Sequence, residues 1–187
     1  APIFFKQAKY TLLDQNTFWL CEKPDSVGMV GWDAALTRIA TWVKLQDKKT
    51  GQILMVVNTH FDHIGTEARR NSALLIIEKI KEIVGTSPAI LTGDFNVSED
   101  WDAYKTITNN EFILKDAHKV AGKRTGVDFT YHNFGKIPAE KCEKIDFIFV
   151  TPQIRVISSY IPFSQLNDTL FLSDHNPEIV ELEIEKS

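Results

Sequence analysis

Four apolar runs of this chain end in, or carry, residues that can do chemistry. Residues 52–61 close with Asn58, Thr59 and His60, followed by Asp62 and His63. Residues 89–93 close with Asp94 and Asn96, and Asp146 interrupts the apolar run 144–151. Ser173, Asp174 and His175 stand just before the last apolar segment. Each has an ordinary reading. Asp94 and Asn96 favour turns. A carboxylate such as Asp146 in an apolar run needs a hydrogen-bond or ion-pair partner. His60, Asp62, His63 and His118 read first as satisfied structural residues. As a set they read differently. Asp94, Asn96, Asp146, Asp174, His60 and His175 combine oxygen donors and imidazoles without a cysteine. Hard oxygen ligands suit Mg²⁺, Mn²⁺ or Ca²⁺ better than a closed zinc site. A carboxylate beside a histidine suits activation of water or protonation of a leaving oxygen.

The elements that must position these groups follow from periodicity. The first third reads as strands over "IFFKQ", "KYTLLD" and "TFWL", followed by a loop over 24–35 in which Trp32 is the tryptophan to consider for a site rim. Residues 36–46 alternate and turn at "DKKTG" into a second, more buried strand over 52–61. A helix is expected from Thr66, with Thr66 as N-cap and Glu67 in the first turn. Its stripe is Ala73, Ile76, Ile77, Ile80, Ile83 and Val84, and Gly85 ends it. Strand "AILTG" then completes a right-handed crossover between parallel neighbours. Ser98 is expected to cap a shorter helix through Trp101, Tyr104 and Ile107. The last third returns to strands: "VDFTYH", "KIDFIFVT", "IRVISSYIPF" and "EIVELEIE", the last with Val180, Leu182 and Ile184 inward. Ligands of mixed α/β folds gather at such strand ends, where loops vary without disturbing the core.

The totals set bounds. The 187 residues suggest one domain, 1–187, and 43% hydrophobic with 25% charged residues is the composition of a globular protein with a sizeable core. No apolar run approaches the roughly 20 residues that cross a bilayer. The net charge is −4, and lysines and arginines are scattered, which weakens the case for coating nucleic acid by charge. Cys21 and Cys142 leave a disulfide open, but two buried thiols are the favoured reading. The compartment stays open between cytoplasmic and secreted or periplasmic.

The pieces "NTHFDH" (58–63), "LTGDFN" (91–96), "KIDFIFV" (144–150) and "LSDHNP" (172–177), in that order, resemble the endonuclease/exonuclease/phosphatase superfamily. Arg38 in "LTRIATWV" and Thr130 in "DFTYH" also look like its framework. The resemblance implies an α/β (α+β) fold, a four-layer α/β/β/α sandwich of two face-to-face mixed sheets, and Mg²⁺-dependent hydrolysis of phosphate esters. Carried over residue by residue, it makes Asp94 the group that orients or deprotonates water, with Asn96 fixing that water. His175 contacts the scissile phosphate, Asp146 fixes the tautomer of His175, His60 donates to a phosphate or leaving oxygen, and Asp174 sits at the metal. Arg38, Asn58, Arg124, Thr130 and Tyr131 become substrate contacts, with His132 and Phe134 as further candidates in the polar loop 122–143. For any one residue of that loop, a solvated surface is the favoured reading.

The family's two N-terminal metal-site residues, an Asn and a Glu, have no counterpart here. The expectation is that N-terminal elements are missing and that the chain is the C-terminal two-thirds of the domain. Three functions compete. The first is a phosphoesterase acting on a phosphorylated small molecule, a lipid headgroup or a nucleic acid. The second is a catalytically impaired phosphate-ligand or protein-binding module on the same fold. The third, a two-metal calcineurin-like phosphatase, ranks last because its Gly-Asn-His-(Asp/Glu) signature is absent.

Overall fold

The computed structural model describes residues 1–85, 87–109, 112, 114–167 and 170–184. In chain order the elements are β1 (Tyr10–Trp19), β2 (Ile39–Asp47), β3 (Ile53–His60), α1 (Thr66–Val84), β4 (Ala89–Asp94), α2 (Asp102–Thr108), β5 (Lys115–Asp116), α3 (Ala117–Val120), β6 (Lys123–Gly126), β7 (Asp146–Val150), β8 (Ile154–Ile161), β9 (Gln165–Asn167), β10 (Leu170–Phe171) and β11 (Ile179–Ile184). A six-stranded sheet runs β1-β2-β3-β4-β7-β5, a three-stranded sheet runs β11-β8-β6, and β9 and β10 form a short ribbon. β3 and β4 are parallel, as the strand–helix–strand reading expects, and β2–β3 and β4–β7 are antiparallel.

Alternation along the strands builds the layers. Met55, Val57, Ala89, Leu91, Phe147 and Phe149 face the helices and pack on the Ala73, Ile76, Ile77, Ile80 and Val84 stripe of α1. Leu54, Val56, Ile90, Ile148 and Val150 face the other way, onto Ile154, Val156, Val180, Leu182 and Ile184 of β8 and β11. Burying each of the Val, Leu, Ile, Met and Phe side chains contributes roughly 1.5–3 kcal/mol. The result is the two-sheet sandwich, with α1 and α2 on the outer face of the larger sheet. No helix among the described residues is long and apolar enough to cross a membrane.

Several local expectations are corrected. "IFFKQ" forms no ladder, and Phe4 is exposed. "KYTLLD" and "TFWL" are one strand, β1, with an irregularity between Leu12 and Asp14. Thr66 is not the cap of α1: Gly65 occupies that position, and the carboxylate of Asp33 accepts the free N–H groups of Ala68 (2.7 Å) and Glu67 (3.3 Å) from a distant loop. A Cβ on Gly65 would lie 2.6 Å from that carboxylate. Ser98 does not cap α2 either; its hydroxyl donates to Glu143. "VDFTYH" is not a strand, since Tyr131 makes only isolated bridges, to Glu143 and His175, and the backbone turns at Asn133 and Phe134 with positive φ. β11 ends at Ile184, and Glu185 of the expected strand lies outside the described residues. Both cysteines are free, Cys21 buried and Cys142 half-buried.

Candidate active site

The face that Leu54, Val56, Ile90, Ile148 and Val150 share continues to the strand tips. By the same period of two, Asn58 and His60 of β3, Asp94 of β4 and Asp146 of β7 project from it. Register brings them abreast, with His60 opposite Asp94 and Asp94 opposite Asp146. The residue after each points to the opposite face. Phe61, Phe95 and Phe147 are each essentially inaccessible. Their rings meet edge to face, Phe61 with Phe95 at 4.9 Å and Phe95 with Phe147 at 6.0 Å, contacts worth about 0.5–1.5 kcal/mol each beyond burial. Each polar tip is thus anchored by its own phenylalanine.

The turn after β4 explains the rest of Gly-Asp-Phe-Asn. A Cβ on Gly93 would meet the carbonyl oxygen of Thr59 at 2.4 Å, so only glycine lets β4 lie this close to β3. Asn96 has φ of 50°, which asparagine tolerates. Its N–H donates to Asp94 Oδ1 (2.9 Å), and its side-chain amide donates to the carbonyl of Phe61 (3.1 Å). The structure therefore gives Asn96 the job of tying two strand tips together.

His175 arrives from the loop before β11. Its Nδ1 lies 2.7 Å from Asp146 Oδ2, and its Nε2 lies 4.0 Å from Asp94 Oδ2. His60 Nε2 approaches the same Asp94 oxygen at 3.4 Å. Asp94, Asp146 and His175 each offer a ligand atom within 4.8 Å of the others. A cleft of 570 Å³ opens beside them, lined among others by Asn58, His60, Asp94 and Asp146.

The electrostatics follow from this crowding. Burial, and then the facing Asp146 carboxylate, push Asp94 up to about 6. The Asp146 hydrogen bond raises His175, so its imidazolium form is favoured. Burial, and then the Arg38 guanidinium, lower His60. Two carboxylates in one recess, one of them held above its usual range, put oxygen donors where a hard divalent cation fits, while the His175 imidazolium has no lone pair to offer it.

The remaining expected residues divide. Tyr131 lies at the site, its ring 5.0 Å from that of His175. Asn58 lines the cleft and bonds Thr92 and the carbonyl of Pro2. Thr130 is fully buried beneath the site. Its hydroxyl accepts the N–H groups of Ile145 (3.0 Å) and Asp146 (3.1 Å), so it positions the Asp146 tip from below. Arg124 lies exposed on β6, and among the described residues no contact joins it to the cluster. His132 is buried among Phe129, Phe163 and Phe171, not open to substrate. Asp174 stands outside the ligand-distance group; its carbonyl accepts from His132 and Asn133, and its carboxylate from Ser173.

The sequence reading missed a buried ion pair behind the site. Lys144 Nζ lies 2.9 Å from Glu178 Oε2 and donates to the backbone carbonyl of Asp146 (2.9 Å). A lysine directly before Ile-Asp-Phe at the start of a buried strand was the available signal.

The model of the Endonuclease/Exonuclease/phosphatase family matches residues 6–175. The chain belongs to this family. A family member of known structure from Bacteroides vulgatus is 64% identical, over 97% of this chain and 69% of that one, with a TM-score of 0.93. The mannosyl-6-phosphatase of Bacteroides thetaiotaomicron is 34% identical, over 96% of this chain and 69% of its own, with a TM-score of 0.87. A curated relative, protein L388 of Acanthamoeba polyphaga mimivirus, is 30% identical over 175 residues, 88% of this chain. The chain spans 63% of that relative's length.

Asp62, given an ordinary structural reading from sequence, is the keystone of the turn after β3. Burial alone would raise its pKa. Backbone N–H bonds from Gly65, Ile64, Ala35 and Leu36 outweigh burial and hold it well below the usual carboxylate range. Replacing Asp62 with alanine leaves these donors unpaired and costs roughly 2–4 kcal/mol, read by urea unfolding. Because its folded pKa is depressed, its contribution is fully present above the ordinary value of 3.8 and is lost as pH falls below it. The stability gap between wild type and Asp62→Ala therefore narrows on acidification.

Proposed function

We propose that the protein hydrolyses a phosphate ester by attack of water on phosphorus, assisted by a divalent cation, Mg²⁺ first and Mn²⁺ or Ca²⁺ as substitutes. The observation that carries this reading is the convergence of Asp94, Asp146 and His175 within 4.8 Å at neighbouring strand tips. Asp94 takes the proton of the attacking water. Asp146 accepts the Nδ1–H of His175 and fixes the ring, so that Nε2–H is aimed into the recess to stabilise the negative charge that grows on the phosphate oxygens. His60 donates to the leaving oxygen from the neighbouring strand. Asp94 would hold the cation, which when bound neutralises the charge of the phosphate group, while Asp146 stays committed to His175.

For substrate, a phosphorylated sugar or similar small phosphate ester is the favoured class. Two things support it: the net charge of −4 without a basic stripe, and likeness to a mannosyl-6-phosphatase. The test is release of nitrophenol from para-nitrophenyl phosphate and its bis ester. Chelation with EDTA is expected to lower the rate on the order of 100-fold or more, with recovery on adding Mg²⁺. A rate that chelation leaves unchanged, or no hydrolysis with any divalent cation, overturns the proposal.

A further inference from the structure

His63, exposed beside the site, has no part in the mechanism above. We propose that it is a substrate contact: with its hydrogen on Nε2, it forms with Arg38 a donor-only subsite for a non-bridging oxygen of the phosphate ester. The inference rests on the phosphoesterase reading and adds to it a second group that grips the phosphate.

The tautomer follows from the pairing. Arg38 Nη2 lies 3.1 Å from His63 Nδ1. A guanidinium can only donate, so Nδ1 must accept. The ring hydrogen then sits on Nε2, the nitrogen that Arg38 does not engage. Arg38 is itself held, its Nε 3.5 Å from Asp62 Oδ2 and its side chain largely covered. The backbone around His63 is equally fixed. Asp62 Oδ1 accepts the N–H groups of Ile64 (2.9 Å) and Gly65 (2.8 Å), and the Asp62 carbonyl accepts from buried Arg69 (3.0 Å). An exposed imidazole on so constrained a turn loses little freedom on binding.

Position and charge complete the argument. Arg38 directly precedes β2, which pairs with β3 next to its His60 tip. Arg38 and His63 both bear on the charge of His60, and Arg38 also on that of Asp94, so the pair stands beside the reacting centre. With the Asp62 carboxylate already occupied by backbone N–H groups and Arg38, the pair offers donors and no acceptor. Its ligand must bring acceptors, as a phosphate oxygen does.

Two variants separate contact from mere support of Arg38. Glutamine places its amide nitrogen near the position of Nε2 and keeps the outward donor. Asparagine places its carbonyl near Nδ1, keeping the acceptor for Arg38 but losing the outward donor. With para-nitrophenyl phosphate, His63→Asn is expected to lower kcat/KM about 10- to 100-fold, through KM, and His63→Gln to restore most of that loss. The reverse order, or wild-type kinetics in both, overturns the inference while leaving the phosphoesterase reading intact. A readout without turnover is ¹⁵N NMR of the imidazoles in the whole protein. It should show hydrogen on Nε2 of His63, and a shift of that nitrogen when inorganic phosphate is titrated in. Hydrogen on Nδ1, or no response to phosphate, sinks the inference. A response to phosphate in a protein without hydrolytic activity keeps the subsite and rejects the phosphoesterase reading.

Discussion

Replacing His175 with alanine is expected to lower kcat/KM for a phosphate ester by about 10²- to 10⁴-fold, and adding Asp146→Ala to that variant is expected to lower it little further. The 2.7 Å bond between His175 Nδ1 and Asp146 Oδ2 makes the two a unit. Asp146 acts on the substrate through the ring that it orients, so Asp146→Ala alone should cost roughly 10- to 100-fold. Once the ring is gone, the orienting role has no object, and the effects of the two changes cannot add. Steady-state kinetics of the two single variants and the double variant close the cycle. Fully multiplicative losses would show that each residue works alone and would remove the pair from the mechanism.

Asp94→Asn is expected to separate activity from stability. Asparagine cannot take a proton from water and removes a charge from the cation site, so kcat should fall by about 10²- to 10⁴-fold. The same change relieves strain in the cation-free protein. Burial and the Asp146 carboxylate raise Asp94 from 3.8 to about 6. A carboxylate raised in the folded state ionises more readily when unfolded, so wild type loses stability as pH rises from 3.8 to about 6, and the penalty is constant above that. Asp94→Asn removes it, for a gain of about 1–3 kcal/mol at neutral pH, read by urea unfolding in chelator. At pH 3 the gain should vanish. A variant that is equally destabilised at both pH values would show that Asp94 has a structural role only.

What the sequence made legible, and what it hid, divides along a physical line. The strands around 53–60 and 89–94 could be read because both faces of each meet apolar partners, which leaves an apolar run bounded by turn residues, and the strand around 39–47 because its residues alternate. The order of His60, Asp94, Asp146 and His175 carried the site through resemblance, and only the pairing register shows that the first three share one face. Hidden were contacts made across long stretches of chain. Asp33 caps α1 from more than thirty residues away, so Thr66 looked like the cap. Thr130 reads as framework and as a substrate contact, and its hydroxyl sits under the Asp146 tip. "VDFTYH" alternates as a strand does, but the neighbouring chain offers only single bridges on each side of Tyr131. Lys144 beside a buried strand hinted at an ion pair, but its partner Glu178 and the Arg38–His63 bond have no local signature, because each depends on where a turn delivers a side chain.

The most direct measurement is hydrolysis of a phosphate ester in ¹⁸O-enriched water, with the released phosphate and alcohol analysed by mass spectrometry. The expected result is one ¹⁸O per turnover in the phosphate and none in the alcohol, with turnover collapsing in the Asp94→Asn and His175→Ala variants. Label in the alcohol, or undiminished turnover in both variants, would mean that these strand tips do not direct water at phosphorus.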